Sequence, residues 1–443
     1  MTWSDRILRL AALGLAGLLA LLAWLLSGLI GPRGQAALGA LCFIALCASF
    51  STSLRAVRWR TVGWGMAIQL ALAVFILRLD IGGVKPGYAF FSAVGDLVKR
   101  FLEFSNQGAT FVFGALANPA VLGQAFGPEN GFVFAFSALP TIIFISAFFT
   151  VLYYFGVLQV IVWVMARLMM YALRTSGAET LSAAANVFMG QTEAPIIVKP
   201  YVPGMTRSEL LALMVGGMAT ISGGVMAVYI GLGADPIAIL TTSVMAAPCG
   251  LYLSKLLMPE TEQPATEGAI SLRVERTHVN VIDAAAAGAS DGLMLALNVA
   301  AMLIAFLALI AMVDALLGWT WAGLTLAKVF SVVFAPVAFL MGVPAKDIAA
   351  MADLLGTKLV ANEFVAFVKL TGEYKGVVDP RTHILATYAL TGFANLGSIG
   401  IQLGGIGAMA PSRRGDLARL GARALLAGFL ATLINACVAS MFL

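Results

Sequence analysis

The sequence predicts an all-α polytopic membrane protein: an inverted repeat of re-entrant hairpin plus two spans, carried on a helical scaffold domain. Three observations lead there. First, 60% of the 443 residues are hydrophobic and 11% are charged, with a mean hydropathy of +0.95; ordinary soluble domains carry about 25% charged residues. Second, long apolar stretches recur from Leu10 to Leu443 and are continuous rather than alternating, which excludes a membrane β-barrel. Third, two polar clusters, Asn186–Glu193 and Asn362–Glu363, interrupt apolar sequence beside Gly and Pro. Hydrocarbon tolerates such groups only where protein or water surrounds them.

The elements follow in order. Leu10–Ile30, behind Arg6 and Arg9, is about 20 residues, longer than the roughly 7–15 of a signal-peptide core, so it reads as an uncleaved span. Ala37–Leu54 ends at Arg55, Arg58 and Arg60, which places the N-terminus in the cytoplasm. Val62–Leu77 is the third span. Tyr88–Phe104 has apolar residues at helical spacing and Asp96, Lys99 and Arg100 on the other face, an interfacial amphipathic helix. Gly108–Gly131 reads as irregular. Phe132–Leu158 returns the chain towards Arg167 and Arg174.

Leu181–Val202 is broken near Gly190 and ended by Pro195 and Pro200, so each limb is too short to cross about 30 Å of hydrocarbon. Basic residues flank it on both sides, as for a hairpin entering and leaving from the cytoplasm. Spans Leu210–Leu232 and Ile237–Leu257 follow, then a polar cytoplasmic loop, Pro259–Thr277, and a span, Leu293–Val313, ending outside at Asp314. Val329–Leu370 is a second hairpin, opening outside. Ile384–Met409 and Ala424–Leu443 close the chain, with the C-terminus periplasmic. The expected division is scaffold at 1–175 and 288–327, hairpin repeats of a transport domain at 176–258 and 328–443, and a cytoplasmic loop at 259–287. Two such units starting from opposite sides are the plan of many secondary transporters, with the site at the repeat interface.

Each unit pairs a hairpin tip with a break in the next span. Gly190-Gln-Thr-Glu193 pairs with Ala219-Thr-Ile-Ser-Gly-Gly224, and Asn362-Glu363 with Phe393-Ala-Asn-Leu-Gly-Ser398. Unwinding at the breaks frees carbonyls that can hold Na⁺. Glu193 and Glu363 occupy corresponding positions, each beside amide side chains. As structural groups they would cap helix ends or pair with Lys358; buried acids in membranes more often carry a role. Carboxylates with amides suit a neutral ligand rich in hydroxyl and NH groups, a sugar or nucleoside. Asp283 and Asp291 read as a solvated helix start. Cys42, Cys47, Cys249 and Cys437 lie in apolar segments and read as buried small residues, and the distant His278 and His383 make no metal site. A net charge of +5 in short loops follows the positive-inside rule, not nucleic-acid binding.

The motifs Ala184-Ala-Asn-Val-Phe-Met-Gly-Gln-Thr-Glu-Ala-Pro195, Ala361-Asn-Glu-Phe-Val-Ala366, Gly392-Phe-Ala-Asn395 and Pro411-Ser-Arg-Arg-Gly-Asp416 together resemble the concentrative nucleoside transporters, from about Arg60 to the C-terminus. The resemblance implies a nucleoside symporter in the bacterial inner membrane, a homotrimer of protomers with a scaffold and a mobile transport domain. It implies that Gln191, Thr192 and Glu193 contact the base with Val225 packed against it. Glu363, Asn395 and Ser398 would hold the ribose and Phe393 line the pocket. Sodium would lie among the Asn186 side chain, the Met189 and Ile221 carbonyls, and Thr220. Thr220 stands where sodium-coupled relatives carry Ser and keeps the hydroxyl; Gly397 stands where Ser is common and removes one. The first span is extra relative to the shortest bacterial members. The same carrier driven by protons, with Glu193 or Glu363 titrating, is the alternative. An integral-membrane enzyme on a lipid-linked sugar or nucleotide would want a carboxylate cluster or a basic phosphate clamp, and a passive channel would show no ion dependence.

Overall fold

The computed structural model describes residues 3–127, 133–267, 278–321 and 323–443, and its named elements are helical throughout. Nine of its helical stretches are long and apolar enough to cross a membrane. The N-terminal half begins with α1 (Trp3–Leu25), α2 (Ser27–Ser49) and α3 (Trp59–Leu77). Gly31, with φ +62°, breaks α2 just before Pro32, so the helix proper starts after that kink. The second span therefore ends at Ser49, earlier than expected, and Leu54–Ala56 forms a separate 3-10 turn.

α4 (Pro86–Phe113) extends the expected amphipathic helix by about two turns. The expectation of irregular chain from Gly108 to Gly131 is corrected. α4 runs on to Phe113, a 3-10 turn covers Gly114–Ala117, and α5 (Pro119–Phe126) follows. The Asn118 side chain accepts hydrogen bonds from the Ala120 and Val121 amides, a side-chain cap that offsets the Gly and Pro content nearby. Residues 128–131 of that stretch lie outside the described residues.

The fourth span comprises α6 (Phe134–Ser137) and α7 (Leu139–Tyr154). Gly156, at φ +79°, turns the chain into α8 (Val157–Leu173), an additional helix where the sequence promised only a cytoplasmic return. α8 buries Leu158, Val162, Ala166 and Met169 and exposes Val160, Ile161, Val164 and Leu168. That is one helical stripe inward with a second apolar face left to its surroundings.

The first repeat has hairpin limbs α9 (Gly177–Ala185) and α10 (Ala194–Ile197), then the broken span α11 (Arg207–Ala219) and α12 (Gly223–Leu232), then α13 (Pro236–Leu257). α14 (Val281–Thr320) is one helix of 40 residues, far longer than the expected Leu293–Val313. Residues 268–277 of the expected loop lie outside the described residues. α15 (Leu326–Val333) and α16 (Ala335–Leu340) precede the second hairpin, whose limbs are α17 (Ile348–Val360) and α18 (Glu363–Thr371). The hairpin is thus shorter than Val329–Leu370, because Gly342 (φ +75°) and Pro344 turn the chain before it. α19 (Pro380–Leu390) and α20 (Leu396–Met409) form the second broken span, and α21 (Arg414–Phe442) closes the chain, starting ten residues before the expected Ala424.

The ends of these elements collect on two opposite faces. On one, the Thr52 amide donates to the Leu257 carbonyl, the Thr61 hydroxyl to the Leu173 carbonyl and the Gly177 amide to the Thr266 carbonyl, and Arg207 pairs with Asp416. On the other, Arg33 donates to the Leu443 carbonyl, Arg381 to Ser440, and Lys346 pairs with Asp379. Each broken span therefore runs from one face to the other, in opposite senses in the two repeats.

Burial divides the molecule. Within Arg207–Leu232, 94% of the most apolar stretch is buried, against 11% within Val281–Trp319. α11, α13 and α21 form the dry centre; α1, α4 and α14 form the outside, with apolar side chains facing outward as lipid or a partner subunit requires. α7 and α14 meet closely because Gly288 and Gly292 leave room: a Cβ on either would lie 2.8 Å from the backbone of Ala147 or Ile143.

Candidate functional site

The two tips and the two breaks are built by local capping chemistry. α9 starts on a capping box of Ser176 and Glu179 and stops at Asn186. The Glu193 carboxylate accepts from the Gly190 amide at 2.9 Å, closing the first tip. Ser222 caps α12 through the Val225 amide, Asn362 caps α18 through Val365, and Asn395 caps α20 through Ser398. The breaks are also tied together. The Phe393 amide donates to the Thr220 carbonyl at 3.1 Å, and the Gly223 amide to the Phe188 carbonyl of the first tip at 2.9 Å. Gly392 sits at this crossing with φ +149°; a Cβ there would lie 2.6 Å from Thr432 Cγ2 and 3.0 Å from the Met218 carbonyl, so only glycine fits.

All eight residues expected from the sequence to face substrate line one cavity of about 150 Å³. Gln191, Thr192, Glu193 and Val225 come from the first repeat, and Glu363, Phe393, Asn395 and Ser398 from the second. Their polar atoms are prearranged. Glu363 Oε1 accepts from the Tyr229 hydroxyl at 3.2 Å and Oε2 from the Asn395 amide at 2.8 Å. Gln191 Nε2 donates to Ser398 Oγ at 3.2 Å, while Gln191 Oε1 is buried with no partner. A buried acceptor without a donor is costly, and this one borders the cavity. The remaining wall is α14, through Leu295, Val299, Met302 and Leu303, an apolar side that sequence reasoning did not assign.

Tyr229 is the main polar residue the sequence reading missed. It lies one helical turn beyond Val225 on the same face of α12, stacked on Phe367 with ring centroids 4.0 Å apart. That i, i+4 relation to Val225 was the available signal. The structural alternative for Glu363, a direct pair with Lys358, is not formed: Lys358 donates instead to the Ala389 carbonyl and to Thr432.

A second cavity, of about 270 Å³, adjoins the first and shares Glu193, Ser222 and Leu295 with it. Phe149 and Tyr153 of α7, Met189 of the tip and Asp291 of α14 line it. Asp283 and Asp291 are both exposed, as a solvated helix start requires, but Asp291 does not lie at the start. Asp283 lies in the first turn, 3.6 Å from His278, but Asp291 lies ten residues into α14, on a helix that starts earlier than expected. The chamber between the repeats therefore continues along α7 and α14, with Glu193 at the junction.

Beside the first tip, the Gly223–Phe188 bond holds the stretch that carries Asn186 and Met189 against the one that carries Thr220 and Ile221, the four expected cation ligands. Asn186 is fully buried; its Nδ2 donates to the Ser182 carbonyl at 3.0 Å and its Oδ1 has no partner. The Thr220 hydroxyl donates to the Gly216 carbonyl at 2.9 Å and keeps its lone pairs. Among the described residues, the Met189 and Ile221 carbonyls accept no backbone hydrogen bond. The donors are all neutral oxygens, a set that fits a monovalent cation; Mg²⁺ and Ca²⁺ sites recruit carboxylates. Among the described residues no group of His, Cys, Asp or Glu could hold a metal ion, and the four cysteines are free and buried.

Inverted hairpin repeats whose polar side chains converge on one cavity at the meeting of two broken membrane helices define a secondary transporter. Known proteins narrow the class. The family models for the N-terminus and C-terminus of the Na⁺-dependent nucleoside transporters match residues 38–116 and 238–440, and a nucleoside-recognition gate model matches 135–236. An uncharacterized transporter of Haemophilus influenzae is 44% identical over 92% of this chain and 97% of its own. Sodium/nucleoside cotransporter 1 of Mus musculus is 40% identical over 99% of this chain and 68% of its own. The structure of CNTnw in an inward-facing substrate-bound state superposes with a TM-score of 0.87 at 39% identity, covering 92% of this chain and 97% of that one. The chain belongs to the sodium-dependent, concentrative nucleoside transporter family, a family of nucleoside symporters, and is a transporter rather than an enzyme.

Proposed function

We propose that this protein concentrates nucleosides by symport with sodium. The observation that carries the reading is the convergence of eight residues from both repeats, six of them polar, on one cavity, with an orphaned Asn186 oxygen in the stretch that leads to the first tip. In this reading Gln191, Thr192 and Glu193 bind the base, Val225 packs on it, Phe393 lines the pocket, and Glu363, Asn395 and Ser398 hold the ribose hydroxyls. Glu363 suits that task because each of its oxygens already accepts one hydrogen bond and retains capacity for another. Sodium binds Asn186, Met189, Thr220 and Ile221. The first tip supplies both sites, so an ion that orders residues 186–189 also orders Gln191–Glu193, which couples the two cargoes. One cation moving down a potential releases about 2.3 kcal/mol per 100 mV. Proton coupling through Glu193 or Glu363 is the alternative, motivated by two carboxylates at the cavity wall.

The chain works in a bacterial plasma membrane, with the N-terminus cytoplasmic and the C-terminus on the far side, as a homotrimer. Residues 176–258 and 328–443 form a transport domain that moves as a body against a scaffold drawn from 1–175 and 288–327, with α2 and α3, bonded to α13 and α21 through Thr52–Leu257 and Gln69–Asn435, moving along with it. The motivation is that the hydrogen bonds joining tips and breaks all lie inside the two repeats, whereas α14 meets the cavity through apolar side chains. A cross-link between a residue of Val225–Leu232 and the facing scaffold is expected to abolish uptake of radiolabelled uridine in proteoliposomes and to release it on reduction. Undiminished uptake by the cross-linked protein would contradict a moving domain.

A further inference from the structure

Lys358 is a fully buried lysine in the last turn of α17, with neutral hydrogen-bond partners. Its ammonium donates to the Ala389 carbonyl at 2.7 Å and to Thr432 Oγ1 at 2.9 Å, and lies 5.5 Å from the centre of the Phe429 ring. An ammonium inside a membrane domain is costly and calls for a compensating field.

The repeat supplies one. Ala389 is the penultimate residue of α19, whose C-terminal end points into the protein centre at the second break. A half-helix ending there presents unpaired carbonyls and a negative dipole end. α11 ends the same way at the first break. The two ends match in detail: Thr220 and Thr391 each follow the last helical residue, and each hydroxyl donates four residues back, to Gly216 at 2.9 Å and to Thr387 at 2.7 Å. The first hairpin limb meets each end. In the first repeat the limb ends in Asn186, a neutral amide with an unclaimed oxygen, packed against Gly216. In the second it carries Lys358, bonded directly to the half-helix end.

We propose that the Lys358 ammonium is a fixed cation that takes, in the second repeat, the place a transported sodium ion takes in the first. The inference rests on the sodium reading above. A tethered charge returns with the carrier and draws nothing from the gradient, so one cation accompanies each nucleoside. Lys358 is here a positioning residue: it neutralises the carbonyl end of α19.

The test is the voltage at which net flux of labelled uridine stops in proteoliposomes of the full chain, with equal sodium and pH on both sides. A tenfold uridine gradient is balanced at about 59 mV if one charge moves per uridine and at about 30 mV if two do. The wild type is expected at the first value, Lys358→Arg likewise, and Lys358→Gln at the second, as a mobile cation fills the vacated place. A wild type at the second value, or Lys358→Gln at the first, overturns the inference. Should Lys358→Gln fold without transporting, its uridine binding is expected to depend on sodium more steeply than that of the wild type. Unchanged sodium dependence, or binding that no sodium concentration restores, overturns it. Flux indifferent to voltage and sodium would instead remove the coupling reading, and this inference with it.

Discussion

Glu363→Gln is expected to cut sodium-driven uridine uptake by about 30- to 140-fold at equal protein level, the equivalent of about 2–3 kcal/mol. The carboxylate offers acceptors only. Its two oxygens already receive Tyr229 and Asn395, and the proposed ribose hydroxyls need the remaining lone pairs. The amide replaces one acceptor with a donor, so either Tyr229 or Asn395 faces an NH₂ group and the charge-assisted bonds to ribose are lost. The loss should fall on uridine binding while sodium still stabilises the purified protein. Wild-type uptake by a well-expressed Glu363→Gln variant would take Glu363 out of the site.

Asn186→Ala is the second large effect, and it should fall on the ion. Asn186 Oδ1 is a buried acceptor with no donor, 0% exposed, at the end of α9. Deleting an oxygen ligand to a cation removes about 1.5 kcal/mol or more, so half-saturating sodium should rise at least about tenfold. Discrimination between uridine and other nucleosides should hold, because Gln191–Glu193 and Glu363 are untouched. Sodium titration of uptake at fixed uridine checks this; unchanged sodium dependence would move the ion elsewhere.

The cavity and the polar stretch beside it were legible in the sequence for the same physical reason. Asn186, Gln191, Glu193, Asn362 and Glu363 stand out because polar groups are rare in apolar sequence, and Gly190, Gly223 and Gly392 mark the breaks beside them. Elements lacking that contrast were harder to read. α8 is apolar on both faces and carries Arg167 near its end, so the sequence reads there as a cytoplasmic return, and the turn at Gly156 makes it a separate helix. α5 was hidden by Gly and Pro although Asn118-Pro119 is a helix-start signal. α14 begins within a polar stretch that suggested a loop, which misplaced Asp291. Tyr229 and the α14 wall of the cavity depend on which faces meet in three dimensions, and no local pattern encodes that.

The partner of Lys358 illustrates the same limit. From sequence, a lysine five residues before Glu363 suggests an ion pair across the hairpin tip. The fold instead turns it toward the end of α19, because the last turn of α17 packs beside that half-helix and α21. Its role follows from comparing the two repeats, which requires both half-helix ends in view.

The most direct test of the central claim is radiolabelled uridine uptake into proteoliposomes of the purified protein, under an imposed sodium gradient and, separately, an imposed proton gradient. Accumulation above equilibrium with sodium alone is the result this account predicts. Accumulation with protons alone would contradict it, and would transfer the coupling role from the Asn186–Thr220 site to Glu193 or Glu363.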